Sequence, residues 1–272
     1  ITGEPVWPIE ERPVPQSTVP GEVTSATQPF PTRPAPFEWQ GISEDILIDF
    51  TPELHAEALR IMREQDGGQL YSPPSETGTI VNPGWAGGGN WTGASFDPDT
   101  QVLYVPSFTD WNLVQLRRPG TDDDLSGEPF DYVWNGDNTP RVQGLPLFKP
   151  PYGRITAIDM RTGEHRWQIA NGDGPRQAEP IKHLNLPPLG TNAMNFPIST
   201  KTLLFTATGR DAWNPPLLNV YDKRTGELLR AIELPSAVRA LPMTYMHEDA
   251  QYVVVAIGSG REPDEIVALA LR

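Results

Sequence analysis

The sequence predicts an all-β fold, a β-propeller of four-stranded antiparallel blades, and three observations carry that prediction. The first is a repeated phrase, Thr-Gly-Glu-x-x-Trp. It stands at Thr162-Gly163-Glu164-His165-Arg166-Trp167, behind the strand-like run Ile155-Thr156-Ala157-Ile158-Asp159. It stands again at Thr2-Gly3-Glu4-Pro5-Val6-Trp7, where the leading strand is missing. An altered copy, Thr225-Gly226-Glu227-Leu228-Leu229-Arg230, follows Leu218-Asn219-Val220-Tyr221-Asp222 and puts Arg where the Trp would be. The second observation is spacing: Asp159 and Asp222 are 63 positions apart, room for one four-stranded blade with its loops. The third is composition, since 31 Pro and 24 Gly in 272 residues favour short strands and many turns over helices.

The phrase has a physical reading. Asp-x-x-Thr-Gly between two apolar runs is a hairpin turn: the Asp side chain bonds backbone N–H groups two or three residues on, and Gly supplies a positive φ. The leading run, in which Ile155 and Ala157 alternate in facing with the residues that flank them, reads as a half-buried strand. After the turn a short strand carries the Trp, whose large apolar face can bolt one sheet to its neighbour. One copy alone is equally well a generic hairpin with an incidental Trp; three registered copies favour the repeat.

Taken in order, residues 8–40 hold eight prolines and read as an irregular excursion. A helical insertion is predicted at 41–65, with Thr51 as cap, Pro52 at the first helical position and Leu54, Ala58, Ile61 and Met62 on one apolar face. Strand grammar follows: Thr79-Ile80-Val81, a Gly-rich stretch from Gly84 to Gly93, then strands at 94–96 and 103–105 around the turn Asp97-Pro98-Asp99-Thr100. A loop insertion at 107–151 carries Asp122-Asp123-Asp124. Strands resume at 154–159 and 167–170. A further blade fits 195–199, 202–207, 217–222 and 228–234. Strands at 242–246, 252–257 and 266–271 make three-quarters of a last blade. About three blades result, too few to close a ring and so expected to be part of one.

Composition excludes several classes. Mean hydropathy is −0.42 and no apolar run approaches 18 residues, so no transmembrane helix is predicted. A net charge of −14 argues against a nucleic-acid surface. Zero Cys removes disulfides, thiolate catalysis, Cys-ligated zinc and covalently attached c-type haem, without settling the compartment.

Several stretches resemble the pyrroloquinoline quinone (PQQ)-dependent dehydrogenases, in particular the periplasmic glucose/quinate/polyol branch. They are 2–15, beginning Thr-Gly-Glu-Pro-Val-Trp and including Glu10-Glu11-Arg12-Pro13; Gly87-Gly88-Gly89-Asn90-Trp91 with Ser95-Phe96-Asp97-Pro98; Leu103-Tyr104-Val105-Pro106; the phrase at 157–167; Thr200–Phe205; and Pro242-Met243-Thr244-Tyr245-Met246 with Gln251-Tyr252-Val253. Their order matches the C-terminal half of such enzymes, which makes residues 1–272 the C-terminal portion of a single propeller domain. The resemblance implies an eight-bladed parent, and at this spacing a ring needs about 500 residues.

What it implies for function follows residue by residue. The parent would oxidise an alcohol, sugar or cyclitol hydroxyl, with hydride passing to PQQ and a Ca²⁺ or Mg²⁺ ion polarising the quinone. Electrons would pass to ubiquinone or a cytochrome. Catalytic base and metal ligands are expected upstream of Ile1, so none is assigned here, and the fragment alone is expected to be inactive without the missing N-terminal half. Asn90 is the leading cofactor-binding candidate, donating its amide to a quinone oxygen, with three preceding glycines allowing close backbone approach; the bland alternative is an Asn capping a Gly-rich turn. Trp91 lines the pocket or packs in a core. Ala240 and Leu241 can present backbone N–H groups to cofactor carboxylates, against ordinary inner-strand packing. Leu189–Phe196 departs from the small, Gly-rich pattern expected before an inner strand. The four His, at 55, 165, 183 and 247, lack metal-ligand spacing and read as structural, and the Asp122–Asp124 run reads as a solvated loop. A periplasmic location is implied, with any membrane tether N-terminal. The competing class is a non-catalytic propeller scaffold that binds periplasmic protein partners.

Overall fold

The computed structural model describes residues 2–66, 68–119, 130–134, 138–259 and 264–270. It falls into two compact units, one of Ile1–Gly87 with Thr109–Lys149 and one of Gly88–Phe108 with Pro150–Arg272.

The second unit is built of three antiparallel sheets and holds the copies of the phrase at Thr162–Trp167 and Thr225–Arg230. The first sheet runs Ser95–Asp97, Val102–Phe108, Gly153–Asp159, Glu164–Ala170 in spatial order; residues 109–149 leave it between its second and third strands. The second sheet is Ile198–Ser199, Leu203–Ala207, Leu217–Asp222, Leu228–Glu233. The third has Met243–His247, Ala250–Ile257 and Glu265–Ala270, three strands among the described residues.

The turn chemistry of the phrase is the same in the two copies that follow a strand ending in Asp, and is shared in part by the copy at Thr2–Trp7. Gly163 and Gly226 donate to the carbonyls of Asp159 and Asp222 at 2.7 and 2.8 Å. The Asp carboxylates accept from the backbone N–H two residues on, Arg161 and Arg224, at 2.9 and 2.8 Å. In all three copies the Thr hydroxyl accepts from the following Glu N–H, and Gly3, Gly163 and Gly226 hold φ of 79°, 74° and 77°, a region open to glycine at little cost. A β-bulge falls between Ala157 and Ile158 and again between Val220 and Tyr221, so that Trp167 pairs with Ala157 as Arg230 pairs with Val220. The register thus makes Arg230 the positional equivalent of Trp167.

Packing converts the repeat into stacked sheets. Val102, Tyr104, Ile155 and Ala157 meet Leu204 and Tyr221, with Trp167 and Ile169 packed alongside. Trp167 lies on the next copy's glycine: a Cβ at Gly226 would come within 3.0 Å of its ring. Asn171 ties the same sheets, its Oδ1 accepting from Thr206, Tyr221 and Asn219. Lys223 and Asp97, both 5% exposed, form an ion pair of 2.6 Å across them. A second core, built on Phe205, Leu218, Val220, Val238, Val253 and Val255, joins the second and third sheets.

Alternation fails at the inner strands, most completely at Gly153–Asp159. All seven residues of Gly153–Asp159 are buried, not every other one, because both neighbouring positions in the sheet are filled and both of its faces are covered. Its polar members survive burial by pairing, as Thr156 does with Gln168.

In the first unit, Ile9–Pro13 pairs with Thr27–Pro31 in the prolyl excursion. The helix is shorter than the predicted insertion: it runs Pro52–Arg63, with the Thr51 hydroxyl accepting from Leu54 N–H at 3.3 Å. Residues 44–46 form a single 3₁₀ turn ahead of it. Thr79–Val81 pairs with Asn112–Val114 and so belongs to neither of the four-stranded sheets. Asp122-Asp123-Asp124 lies outside the described residues.

Candidate functional site

Each sheet of the second unit has a lead-in segment ahead of its first strand, and the candidate site residues occupy these segments. Asn90 and Trp91 lie in the lead-in to Ser95–Asp97. Ala240 and Leu241 occupy the corresponding place before Met243–His247, with 192–197 before Ile198–Ser199. The first strands of two sheets are side by side: the Ser95 and Ser199 hydroxyls are 2.7 Å apart and Ser199 N–H donates to Ser95 Oγ. No hydrogen bond or ring contact joins Asn90 or Trp91 to Ala240 or Leu241 among the described residues. What they share is position in the repeat.

Asn90 is exposed, and its amide has no hydrogen-bond partner among the described residues. It caps no backbone group among the described residues. Trp91 is 67% exposed, so its ring is not a core residue. The glycines just ahead are tethered at both ends of the stretch. In the first unit, Trp85 N–H donates to Asn112 Oδ1 and Ala86 N–H to Asp110 Oδ2, each at 2.8 Å, and Gly84 has no room for a side chain against Asn112 and Asp110. In the second unit, Gly88 O accepts from Phe108 N–H. Ala240 and Leu241 are both exposed, Leu241 by 59%. The stretch before them is pinned to the second strand by Arg239 N–H donating to Ala256 O and Gly258 N–H donating to Ala237 O, both at 2.9 Å.

The segment Leu189–Phe196, which departs from the expected pattern, proves closely packed by backbone. A side chain at Gly190 would collide with Gly153, and one at Gly153 with Thr191. Thr191 is fully buried and donates its hydroxyl to Asp211 Oδ2 at 2.5 Å. Within this segment Asn192 Oδ1 is buried without a hydrogen-bond partner. A buried unpaired amide oxygen costs about 1–3 kcal/mol, so it marks a place where a polar ligand group would be welcome. Sequence reasoning missed Asn192, because an Asn in an atypical loop carries no pattern of its own.

The histidines do not converge. His55 Nδ1 is 3.1 Å from Ile48 O beside the helix, His165 is half-buried in its outer strand, His183 sits in a 3₁₀ turn rather than a loop, and His247 packs near Tyr252. The carboxylates of the second unit serve architecture. Arg161 and Arg166 hold the Asp159 carboxyl far below the usual carboxylate range. Burial works against ionisation of Asp97, yet bonds from Lys223 and Thr100 still bring it below its ordinary value.

Comparison with known proteins agrees with the propeller repeat. The family described as "PQQ: Glucose/ethanol/alcohol dehydrogenase, beta-propeller domain" matches residues 1–253. The quinate/shikimate dehydrogenase (quinone) of Acinetobacter baylyi is 28% identical over 100% of this chain and 36% of its own length. The quinoprotein glucose dehydrogenase of Escherichia coli is 30% identical over 99% of this chain and 36% of its own. The glycerol dehydrogenase large subunit of Gluconobacter oxydans is 28% identical over 94% of this chain and 38% of its own. The quinohemoprotein alcohol dehydrogenase structure from Comamonas testosteroni aligns with 66% of this chain and 24% of its own at 23% identity and a TM-score of 0.44, a likeness on which nothing is built. The chain thus spans a little over a third of the length of the curated relatives it matches. With the family match running from the first residue through Val253, this chain belongs to the β-propeller domain family of the PQQ-dependent glucose, ethanol and alcohol dehydrogenases.

Proposed function

We propose that this chain is part of a PQQ-dependent dehydrogenase that oxidises an alcohol, sugar or polyol hydroxyl, and that it supplies one side of the cofactor pocket. The observation that carries this is a pair of asparagines in the lead-in segments of successive sheets. Asn90 offers an exposed, unpaired amide, and Asn192 an amide oxygen that is buried and unsatisfied. A flat cofactor with quinone oxygens, a ring N–H and carboxylates offers partners for both, and the glycines at 87–89 keep side chains out of its way. The residues present fit the group.

When bound, PQQ supplies the electrophilic carbonyl that accepts hydride. This chain's own part is to hold and orient it: Asn90 donates through its amide, Trp91 provides an aromatic wall, and Ala240 and Leu241 offer backbone N–H groups. A donor placed where negative charge develops on reduction stabilises the transition state more than the ground state. The base that takes the hydroxyl proton and the ligands of a Ca²⁺ or Mg²⁺ ion come, in this reading, from outside residues 1–272. The whole of 1–272 then belongs to one propeller domain in the periplasm, delivering electrons to ubiquinone or a cytochrome. The relatives' printed names, which include a "quinone" dehydrogenase and a quinohemoprotein, support the acceptor classes.

The test is titration of the chain with PQQ, following quenching of tryptophan fluorescence, with Asn90→Ala beside the parent sequence. Loss of one hydrogen bond between neutral groups is expected to weaken binding by up to about 10-fold. The chain alone is expected to give no dye reduction with glucose, quinate or glycerol. Absence of PQQ binding at any concentration up to millimolar would sink the pocket and favour a non-catalytic scaffold.

A further inference from the structure

Most arginines of the described chain are spoken for. Eight of them, Arg12, Arg60, Arg63, Arg118, Arg161, Arg166, Arg176 and Arg224, form ion pairs with carboxylates. Arg210 and Arg239 form none among the described residues, although the chain carries 35 acidic against 21 basic residues. Both line one cavity of about 410 Å³ in the second unit, together with Gly209, Asp211, Ser236 and Gly258.

Two sheets bring them together. Arg210 follows the strand Leu203–Ala207 across Gly209, whose φ of +95° and contact with Pro216 leave no room for a side chain. Its guanidinium carbon sits 5.4 Å from the centre of the Phe196 ring, which steadies the side chain without neutralising it. Arg239 lies just after the bridge between Val238 and Ile257. Its backbone N–H is tied to Ala256 O and its Nε donates to Gly258 O at 2.8 Å. That bond fixes the fork and leaves both terminal nitrogens without a partner among the described residues.

Among the described residues no acid forms an ion pair with either arginine. Asp211 Oδ1 accepts from Trp213 N–H, Asn214 N–H and the Asn214 amide, and Oδ2 from Thr191 and Asn214. Asp264 lies against Gly258 but is in no ion pair with either arginine. The two cations feel each other: burial first and the charge of Arg239 second lower the pKa of Arg210. Two cations line the cavity against the single carboxylate of Asp211, whose oxygens are already taken by Thr191, Trp213 and Asn214, so the guanidinium forks remain open to an anion.

We propose that Arg210 and Arg239 form a carboxylate-binding subsite. The planar forks of two guanidiniums suit the two oxygens of a carboxylate, and the cavity volume admits a small organic acid. Arg239 directly precedes Ala240 and Leu241, so the subsite adjoins the third sheet's lead-in. Only the choice of candidate ligands rests on the proposed function: the carboxylate belongs either to a hydroxy-acid substrate or to PQQ, itself a tricarboxylate.

Calorimetric titration of the chain with PQQ, with quinate and with glucose separates these sources, in the parent sequence and in Arg210→Gln, Arg239→Gln and the double variant. Each single variant is expected to weaken the carboxylate ligand about 10-fold and the double variant at least 30-fold, glucose being unaffected. Weakening of quinate alone assigns the subsite to the substrate, and of PQQ alone to the cofactor. PQQ binding that survives in all variants with quinate equally unaffected overturns the subsite and leaves the proposed function standing. Absence of PQQ binding, with quinate binding lost in the variants, keeps the subsite and removes the cofactor reading. If the parent chain binds neither carboxylate, the subsite is wrong. Circular dichroism of the single variants, whose side chains are exposed, checks that the fold is kept.

Discussion

Gly226→Ala tests whether the repeated phrase works by stacking a glycine on the preceding copy's tryptophan. Gly226 holds a φ of +77°, where an alanine costs about 1 kcal/mol. The added methyl would also sit 3.0 and 3.2 Å from Trp167 ring atoms and 3.1 Å from Ile169 Cγ2. Overpacking of that kind adds about 1–3 kcal/mol, so the total is about 2–4 kcal/mol. Gly93→Ala is the control. It has a φ of +68° in the same unit with nothing within 4 Å of the added methyl, and should cost only the backbone part, about 1 kcal/mol. Urea denaturation followed by circular dichroism measures both, with the midpoint moving at constant slope. Repeating Gly226→Ala in a Trp167→Leu background should recover much of the packing cost, as contacting residues couple. If Gly226→Ala costs no more than Gly93→Ala, or the cost is unchanged without the indole, the stacking account fails.

Three further outcomes are expected. Asp97→Asn strands the 5%-exposed Lys223 ammonium with Thr200 O as its remaining partner and should cost about 3 kcal/mol, much of it returning in Asp97→Asn/Lys223→Met; strict additivity in the denaturation cycle would contradict a coupled pair. Asp159 and Asp222, ordinarily titrating at 3.8, are held lower by Arg161 with Arg166 and by Arg224 respectively. A depressed folded-state pKa gives stability that is whole above the unfolded value and lost as pH falls through the folded one. Stability should therefore be flat on this account from pH 7 to about 5, then fall below about 4, and Asp159→Asn should flatten that fall. Thr51→Ala removes the acceptor for Leu54 N–H and should cost about 1 kcal/mol in the same denaturation assay.

Much of the architecture was legible because its causes are local. The phrase announces its turn through groups no more than four residues apart, so Asp159 to Gly163 and Asp222 to Gly226 close as the sequence implies. The same holds for the helix, whose cap and first-turn proline stand side by side at Thr51 and Pro52. Strand ends were less legible. Asn195 to Pro197 belongs to no strand, since only Ile198 and Ser199 find partners, and Gly153–Asp159 is buried on both faces where its pattern suggests one.

The site was read unevenly for the same reason. Asn90 stood out from its glycine-rich setting and is exposed; Trp91, read as a pocket wall or a core residue, is exposed too. Asn192 and the pair Arg210 and Arg239 have no local signature, since each acquires meaning only from what surrounds it. By itself the sequence determined the repeat, its hairpin chemistry and the family to which the chain belongs, because these follow from neighbours along the chain. Only the tertiary structure decided which tryptophan lies on which glycine, that the Asn192 amide oxygen is among those left unsatisfied, and that two arginines 29 positions apart face one cavity. Those outcomes depend on how separate sheets pack, which is a property of contacts far apart in sequence.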